Sequence, residues 1–301
     1  MTQVHNIELD RVAVTARDKR PMSILADGAH FRKCSGNLHI TNSAFERNGD
    51  DGFASHSEFS VVQSILDKWC VSVTGEGVHL AQIGEEWVFR ERNTLLSLGI
   101  RSVTGVDHST GKMCFNSSLP TKLQPSDVCT ATIAPYLLIE NTRYWGQLGH
   151  GIRIKTPNAI IRNCTLGYNS YGSILMIPDA SRWMSSMVVT NVTVEGCNFT
   201  HGDPWATNQY DVDPASIVVT AYGGHGGPVT TNTVNDGIIF RNNSINQAVG
   251  VCTAMVIRAT SNFLVANNTV KWATGTKIGC PVVHALNSNG SASDNTCERD
   301  D

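Results

Sequence analysis

A short motif recurs along this chain: two apolar residues at alternate positions, one further residue, then asparagine. It reads Leu38-His-Ile40-Thr-Asn42, Leu137-Leu-Ile139-Glu-Asn141, Ala159-Ile-Ile161-Arg-Asn163, Ile238-Ile-Phe240-Arg-Asn242 and Phe263-Leu-Val265-Ala-Asn267. Val192-Thr-Val194-Glu-Gly196 repeats it with glycine in the asparagine place. From Asn141 onward the marks stand 22, 33, 46 and 25 residues apart. Period-two alternation is the pattern of a half-buried strand, and repeats of about 22 residues stretched by surface loops are that of a solenoid. Helical periodicity is confined to a hint at Val62, Leu66 and Trp69, and the Leu-x-x-Leu-x-Leu of leucine-rich repeats is absent. The expected fold is all-β: a right-handed parallel β-helix with Ile, Val, Leu and Phe inside and asparagines stacked at a turn.

The repeat lapses for the 99 residues between Asn42 and Asn141. Gly84-Glu-Glu-Trp-Val-Phe89, Leu98-Gly-Ile-Arg-Ser-Val-Thr-Gly-Val106 and Gly111-Lys-Met-Cys-Phe115 read as short strands with tight turns. Residues 1–69 are thus expected to be N-terminal rungs, 70–134 an inserted β-rich module and 135–279 continuing rungs. Residues 280–301, rich in Asn and Ser, are expected to be an irregular tail.

Composition narrows the class. With 301 residues, a net charge of −3 and only 16% charged residues, the chain can bury a large core and carries no basic footprint for nucleic acid. No apolar run is long enough to span a membrane. Met1-Thr-Gln-Val-His-Asn6 lacks the basic start and apolar core of a signal peptide, so the expectation is either that the protein stays inside the cell or that the sequence is part of a longer chain. Nine cysteines, none at Cys-x-x-Cys spacing, indicate neither a zinc site nor a redox motif. Asn116, Asn163, Asn191, Asn198, Asn242, Asn267 and Asn289 begin Asn-x-Ser/Thr triplets. They are either glycosylation acceptors or the chance product of an Asn-, Ser- and Thr-rich chain.

If each asparagine marks the same phase, columns can be read across the rungs. Asp27, Asp50, Gly149 and Tyr171 share one column, and Gly28, Asp51, His150 and Gly172 the next. Ala29, Gly52, Gly151 and Ser173 follow, then Phe53, Ile152 and Ile174, with His30 as the polar exception. Adjacent rungs lie about 4.8 Å apart, so this register gathers Asp27, Asp50, Asp51 and His150 at one glycine-lined turn. Alone, Asp-Asp-Gly is an ordinary solvated turn. Three crowded carboxylates repel, so at least one should be harder to ionise than usual, which suits acid/base work.

His56 and Lys155 fall in one further column, with Arg153 two residues before Lys155. In Ile152-Arg-Ile-Lys155 the cations point outward, where they either bind an anionic or polar sugar group or line a solvated face. Trp183, Trp205 and Tyr210 either stack on sugar rings or pack loops. Asp179, Asp203, Asp211 and Asp213 are loop acids, read as solvated. A carboxylate patch on a β-helix flank is suited to glycosidic cleavage, one acid protonating the leaving oxygen while another activates water. That chemistry calls for no cofactor and no metal, although clustered aspartates can also bind Ca²⁺.

Ala26-Asp27-Gly-Ala-His30-Phe31, Cys34-x-Gly36-Asn-Leu-His-Ile40 and Gly49-Asp50-Asp51-Gly-x-x-x-His56 resemble the core of glycoside hydrolase family 110. Gly151-Ile-x-Ile-x-Thr156-Pro157, Gly172-x-Ile174-Leu, Asp179-x-x-x-Trp183 and a Val-x-Val rung ending at Phe199 extend the resemblance over residues 20 to 270. It implies a β-helical, inverting α-galactosidase acting on terminal α-1,3-linked galactose, with a β-barrel inserted after the Asp-Asp rung. Asp50 would be the general acid, Asp27 and Asp51 would hold and activate water, and His30, His56, His150, Arg153, Lys155, Asp179 and Trp183 would bind substrate. The chain departs from the family in having Ala54-Ser55 where an Asn usually precedes the His, His150 in place of an Arg, and Met184-Ser-Ser186 where a Glu usually follows the tryptophan. The family's N-terminal rungs are also missing.

The expected partner is a galactosylated glycan, with no nucleic acid or membrane, and the open strand edges of an exposed first rung make it a surface through which chains could oligomerise. The full-length protein is expected to be secreted or lumenal. A polygalacturonase-like hydrolase, to which Gly149-His-Gly151 and Arg153-Ile-Lys155 point weakly, a glycan-binding β-helix without activity, and a polysaccharide lyase are the competing readings.

Overall fold

A computed structural model describes residues 1–18, 20–201, 215–247, 253–273 and 282–299. Trp205, Tyr210, Asp203, Asp211 and Asp213 lie outside the described residues. The architecture is the expected right-handed parallel β-helix, with three sheets of eight or nine strands and a separate closed barrel.

Each rung contributes one strand to each sheet. In the first sheet His5–Asp10, Ser35–Thr41, Pro135–Glu140 and Ala159–Arg162 lie side by side, followed by Thr190–Glu195, Asn235–Arg241, Phe263–Ala266 and Gly290–Ser293. Pairing holds the repeat in phase, with Leu38 beside Leu137, Leu137 beside Ala159 and Ala159 beside Val192. The apolar pair of each motif faces inward: Leu38, Ile40, Leu137, Ile139, Ile161, Val192, Val194, Ile238 and Phe240 are all fully buried. The sequence repeat is therefore the inside wall of the solenoid.

The asparagine column has a backbone cause. Asn42, Asn141, Asn163, Asn242 and Asn267 all take left-handed φ values between 50° and 56°, and Gly196 stands at 62°. These are the corner residues between the first and second sheets, and Asn and Gly are the residues that enter that region most cheaply. Side-chain stacking contributes less, as in the 3.4 Å bond from Asn141 Nδ2 to Asn42 Oδ1. The stronger ladder is one residue later and points inward. There Asn243 N–H donates to Asn268 Oδ1 at 3.0 Å, and Asn268 N–H to Asn295 Oδ1 at 3.0 Å. Ser43, Thr142, Cys164 and Cys197 hold the same place in earlier rungs; Cys197 N–H reaches Asn243 Oδ1 at 2.9 Å. Each inward side chain thus answers a backbone N–H that has no strand partner at the corner.

The inserted barrel comprises Ser60–Ile65, Cys70–Thr74, Glu86–Arg90, Ser97–Asp107, Lys112–Phe115 and Val128–Ala131. Its core, including Val62, Trp87, Phe89, Met113 and Cys129, is distinct from the solenoid's. It starts at Ser60 rather than the expected Cys70: of the residues that hint at helical spacing, Val62 is buried within the strand Ser60–Ile65, and Leu66 and Trp69 follow it, exposed and outside any helix. A Cys70–Cys114 disulfide joins two of its strands.

The tail is not irregular where it is described. Val283–Leu286, Gly290–Ser293 and Thr296–Arg299 add one strand to each sheet. The rung before them offers free N–H and C=O groups, and a polar segment satisfies these as well as an apolar one; hence low hydrophobicity did not mark it. No helix among the described residues is long and apolar enough to cross a membrane.

Because Ile161 is fully buried while its neighbour Ile160 lies on the outer face, truncating them should have unequal effects. Ile161→Ala should lower unfolding free energy by about 2–5 kcal/mol and Ile160→Ala by about 0.5 kcal/mol or less, measured by urea denaturation. Equal losses would put the wrong face inside.

Candidate active site

The third sheet carries the site. Its strands include Ala29–Arg32, Phe53–Glu58, Ile152–Ile154 and Ile174–Met176, each entered through a tight turn. Just ahead of those turns runs a buried amide ladder: Asn48 N–H donates to Gln147 Oε1 at 2.9 Å, and Gln147 N–H to Asn169 Oδ1 at 3.1 Å. The ladder pins the turns that follow, and with them Asp50, Asp51 and His150.

Here the structure corrects the expected register. Ala29 pairs with Phe53 and His30 with Ala54, so the interval is one residue longer than assumed. Carried back along the chain, the pairing sets Asp27 beside Asp51 and His150, and Ala26 beside Asp50. The physical reason is the pleat. A one-residue slip exchanges the faces; the observed register turns Phe31 into the core at 1% exposure and His30 outward. The alternation Ala29-His30-Phe31-Arg32 held that signal. The later columns stand as expected, with Ile152 against Phe53 and Ile174 against Ile152.

Despite the slip, Asp27, Asp50 and Asp51 each place an oxygen within 4.8 Å of the others. They line a cleft of about 590 Å³ together with His30, His56, His150, Arg153, Lys155 and Trp183. Asp51 is its buried base. Its Oδ1 accepts from the backbone N–H of His150 at 2.7 Å and lies 2.9 Å from His150 Nδ1; its Oδ2 lies 3.4 Å from Arg153 Nη1. Burial pushes this carboxyl up, but the charge and hydrogen bonds of His150, together with the charge of Arg153, outweigh it and hold it at about 2. Asp50 stands at the rim, and its shift is opposite. Partial dehydration by the cleft walls, and then the charges of Asp51 and Asp27, raise it above the usual carboxylate value. Gly149 makes this approach feasible: a Cβ there would sit 2.5 Å from Asp51 Oδ1.

Asp27 accepts the Asp51 N–H at 3.2 Å through Oδ1, and its Oδ2 lies 2.9 Å from His30 Nδ1. His30 Nε2 is 2.7 Å from His56 Nε2. His56 pairs across the sheet with Arg32, and shares its column with Lys155 as expected.

Lys155 and Asp179 differ from expectation. Lys155 does point out of the solenoid, but the strand Ser185–Ser186 pairs antiparallel to Glu58 and covers it. The lysine is 1% exposed and donates to Ser185 Oγ; burial, then the charge of Arg153, depresses its pKa. Asp179 is neither solvated nor on the cleft wall. It is buried, and its Oδ1 accepts from Ser181 N–H at 2.8 Å, Ser181 Oγ at 2.7 Å and Arg182 N–H at 3.1 Å. It holds the turn that presents Trp183, which remains 49% exposed with Arg153 5.8 Å from its ring centre.

Three polar lining residues were not among the candidates read from the sequence: Glu58, Tyr171 and Ser185. Burial raises the Glu58 carboxyl to about 7 against the opposing charge of Arg32. Tyr171 stands 5.8 Å, ring to ring, from His150 and already lay in the Asp50 column. Glu58 gave no sign, because its place in the cleft depends on how Arg32, His56 and Ser185 close around it.

No family model matches the chain. It is 24% identical over 190 residues to alpha-1,3-galactosidase B of Bacteroides thetaiotaomicron, an overlap of 60% of this chain and 31% of that protein. It is 26% identical over 203 residues to alpha-1,3-galactosidase A of Akkermansia muciniphila, covering 63% of this chain and 33% of that protein. These relatives bear out the resemblance to glycoside hydrolase family 110; the chain spans about a third of their length. A tailspike of Acinetobacter baumannii bacteriophage AP22 aligns with 89% of the chain and 53% of its own at 10% identity and a TM-score of 0.28, a likeness too slight to add to what the sheets show.

Asp51 is held at about 2, below the unfolded value of about 3.8, so its ionised form stabilises the fold above that unfolded value. The contribution, about 2 kcal/mol at neutral pH, is lost as pH falls toward 2, and roughly half should be gone by pH 3. Urea denaturation of the unmutated chain and Asp51→Asn at pH 7 and pH 3 should show their difference shrinking accordingly.

Proposed function

We propose that the protein is a glycoside hydrolase, an inverting, exo-acting α-galactosidase for terminal α-1,3-linked galactose. One observation carries the reading. Asp50 and Asp51 are sequence neighbours in one cleft, yet their surroundings push their proton affinities in opposite directions. Such a split is what an acid/base set requires, and it supports Asp50 as the proton-bearing member and Asp51 as the ionised one.

Asp50, at the open rim, keeps its proton and donates it to the departing glycosidic oxygen. Water attacks the anomeric carbon from the opposite side and loses its proton to a carboxylate. Asp51 is buried and held ionised by His150 and Arg153, which makes it a weak base, so it orients the water while Asp27, the more accessible of the two, accepts the proton. Trp183 offers an exposed ring for the apolar face of a sugar. Inversion follows from the family resemblance. Oxygens of the three carboxyls lie within 4.8 Å of one another, nearer than the roughly 6.5–9.5 Å between the carboxyls of inverting enzymes, so inversion rests on the resemblance and not on this spacing.

Two departures from the family bear on specificity. His150 replaces the usual Arg and pairs with Asp51, while Arg153 supplies the guanidinium from the next strand. Ala54, where the family carries a polar residue nearby, leaves the wall between His30 and Arg153 apolar.

Incubation with galactosyl-α-1,3-galactose, followed by NMR of the first product, should show β-galactose before mutarotation. Asp50→Asn should lower turnover by about 10²–10⁴-fold. Activity should fall as pH rises through the raised Asp50 value, where the acid loses its proton. Binding of the glycan without turnover, unchanged by Asp50→Asn, would instead establish a sugar-binding β-helix.

A further inference from the structure

Asp27 ends a hydrogen-bonded chain whose protons can be assigned from chemistry. A carbonyl oxygen only accepts, so His56 Nδ1, 2.8 Å from the Ser57 carbonyl, carries a hydrogen. His56 is largely buried, and burial followed by the charge of Lys155 pushes it down to about 3; it is neutral, and its Nε2 holds a lone pair. His30 Nε2, 2.7 Å away, must therefore be the donor. What remains on His30 is Nδ1, 2.9 Å from Asp27 Oδ2. One proton occupies that gap, as an imidazolium facing a carboxylate or as a neutral ring facing a carboxylic acid.

We propose that His30, locked by His56, is a positioning residue that orients Asp27 and shares its proton during hydrolysis. The inference rests on the hydrolase reading above. His56 fixes the ring of His30 from behind, and Asp27 is held from both sides, by His30 on Oδ2 and by the Asp51 N–H on Oδ1. The motifs contain both histidines but do not pair them: His30 and His56 are 26 residues apart, and only the observed register puts both on the outer face.

The proton balance closes. The glycosidic C–O bond breaks as Asp50 gives its proton to the leaving oxygen, and water forms the new C–O bond as its proton passes to Asp27. Each turnover therefore leaves Asp50 one proton short and the Asp27–His30 pair one proton rich. His30, with its side chain 46% exposed, is the member of the pair that can hand the surplus to solvent, and Asp50 at the rim regains one there. The groups facing the two rings are Asp27, Glu58, Lys155, Arg153 and Arg32; all but Asp27 surround His56.

Two measurements test the proposal. In protein with ¹⁵N-labelled histidine, long-range proton–nitrogen correlation at pH 7 should find His56 as the Nδ1–H tautomer. With galactosyl-α-1,3-galactose, His30→Ala should reduce kcat at least tenfold with KM within threefold. It should also shift the acidic limb of the pH profile and recover part of its rate with added imidazole. The Nε2–H tautomer at His56 overturns the proposal, as does an unchanged kcat or a loss that imidazole does not relieve, since that would be a structural effect. Hydrolysis that ignores His30 sinks this inference alone. No hydrolysis by the unmutated protein sinks the hydrolase reading, and this inference with it.

Discussion

Main-chain pairing between successive rungs is the interaction on which everything else in this molecule depends. Each coil of the backbone leaves a row of N–H and C=O groups that only the next coil can satisfy, at a separation of about 4.8 Å. Residues more than twenty positions apart thereby become neighbours, and the column becomes the unit of design. An inward column becomes the core, as in Leu38, Leu137 and Ala159. An outward one can collect charge, as with His56 and Lys155.

Where the chain turns, strand pairing stops, and side chains take over. At one corner the column from Ser43 to Asn295 accepts backbone N–H groups; at another, Asn48, Gln147 and Asn169 do the same. The second ladder lies directly under the turns that carry Asp50, Asp51 and His150. Three carboxylates can then be crowded because the repulsion is opposed locally. His150 and Arg153 neutralise the buried Asp51, His30 meets Asp27, and the remaining strain falls on Asp50. A site that is costly in electrostatic terms is supported by backbone geometry that is not.

The rim of the cleft is built differently. Trp183 is presented by a turn tied to buried Asp179, and the strand beyond it closes over Lys155. These segments are held by single polar clusters rather than by columns. Their side chains are accordingly the ones whose surroundings differed most from a simple inside-or-outside reading.

How much of this was legible in the amino-acid order follows from the range of each signal. Period-two alternation and corner asparagines are local, so the coil, its inward face and the long insertion could be read from the text, as could the convergence of Asp27, Asp50 and Asp51. The phase between rungs is not local. It was misjudged by one residue at His30, because the length of a turn, unlike the pattern of a strand, leaves no periodic trace. The last rung was missed for a related cause: a polar strand pairs as well as an apolar one. Glu58, Ser185 and the chain from Asp27 through His30 to His56 were decided by the tertiary structure alone. Burial and charge act through space, and neither carboxylate of the Asp50–Asp51 pair has a proton affinity until the neighbouring rungs supply its surroundings.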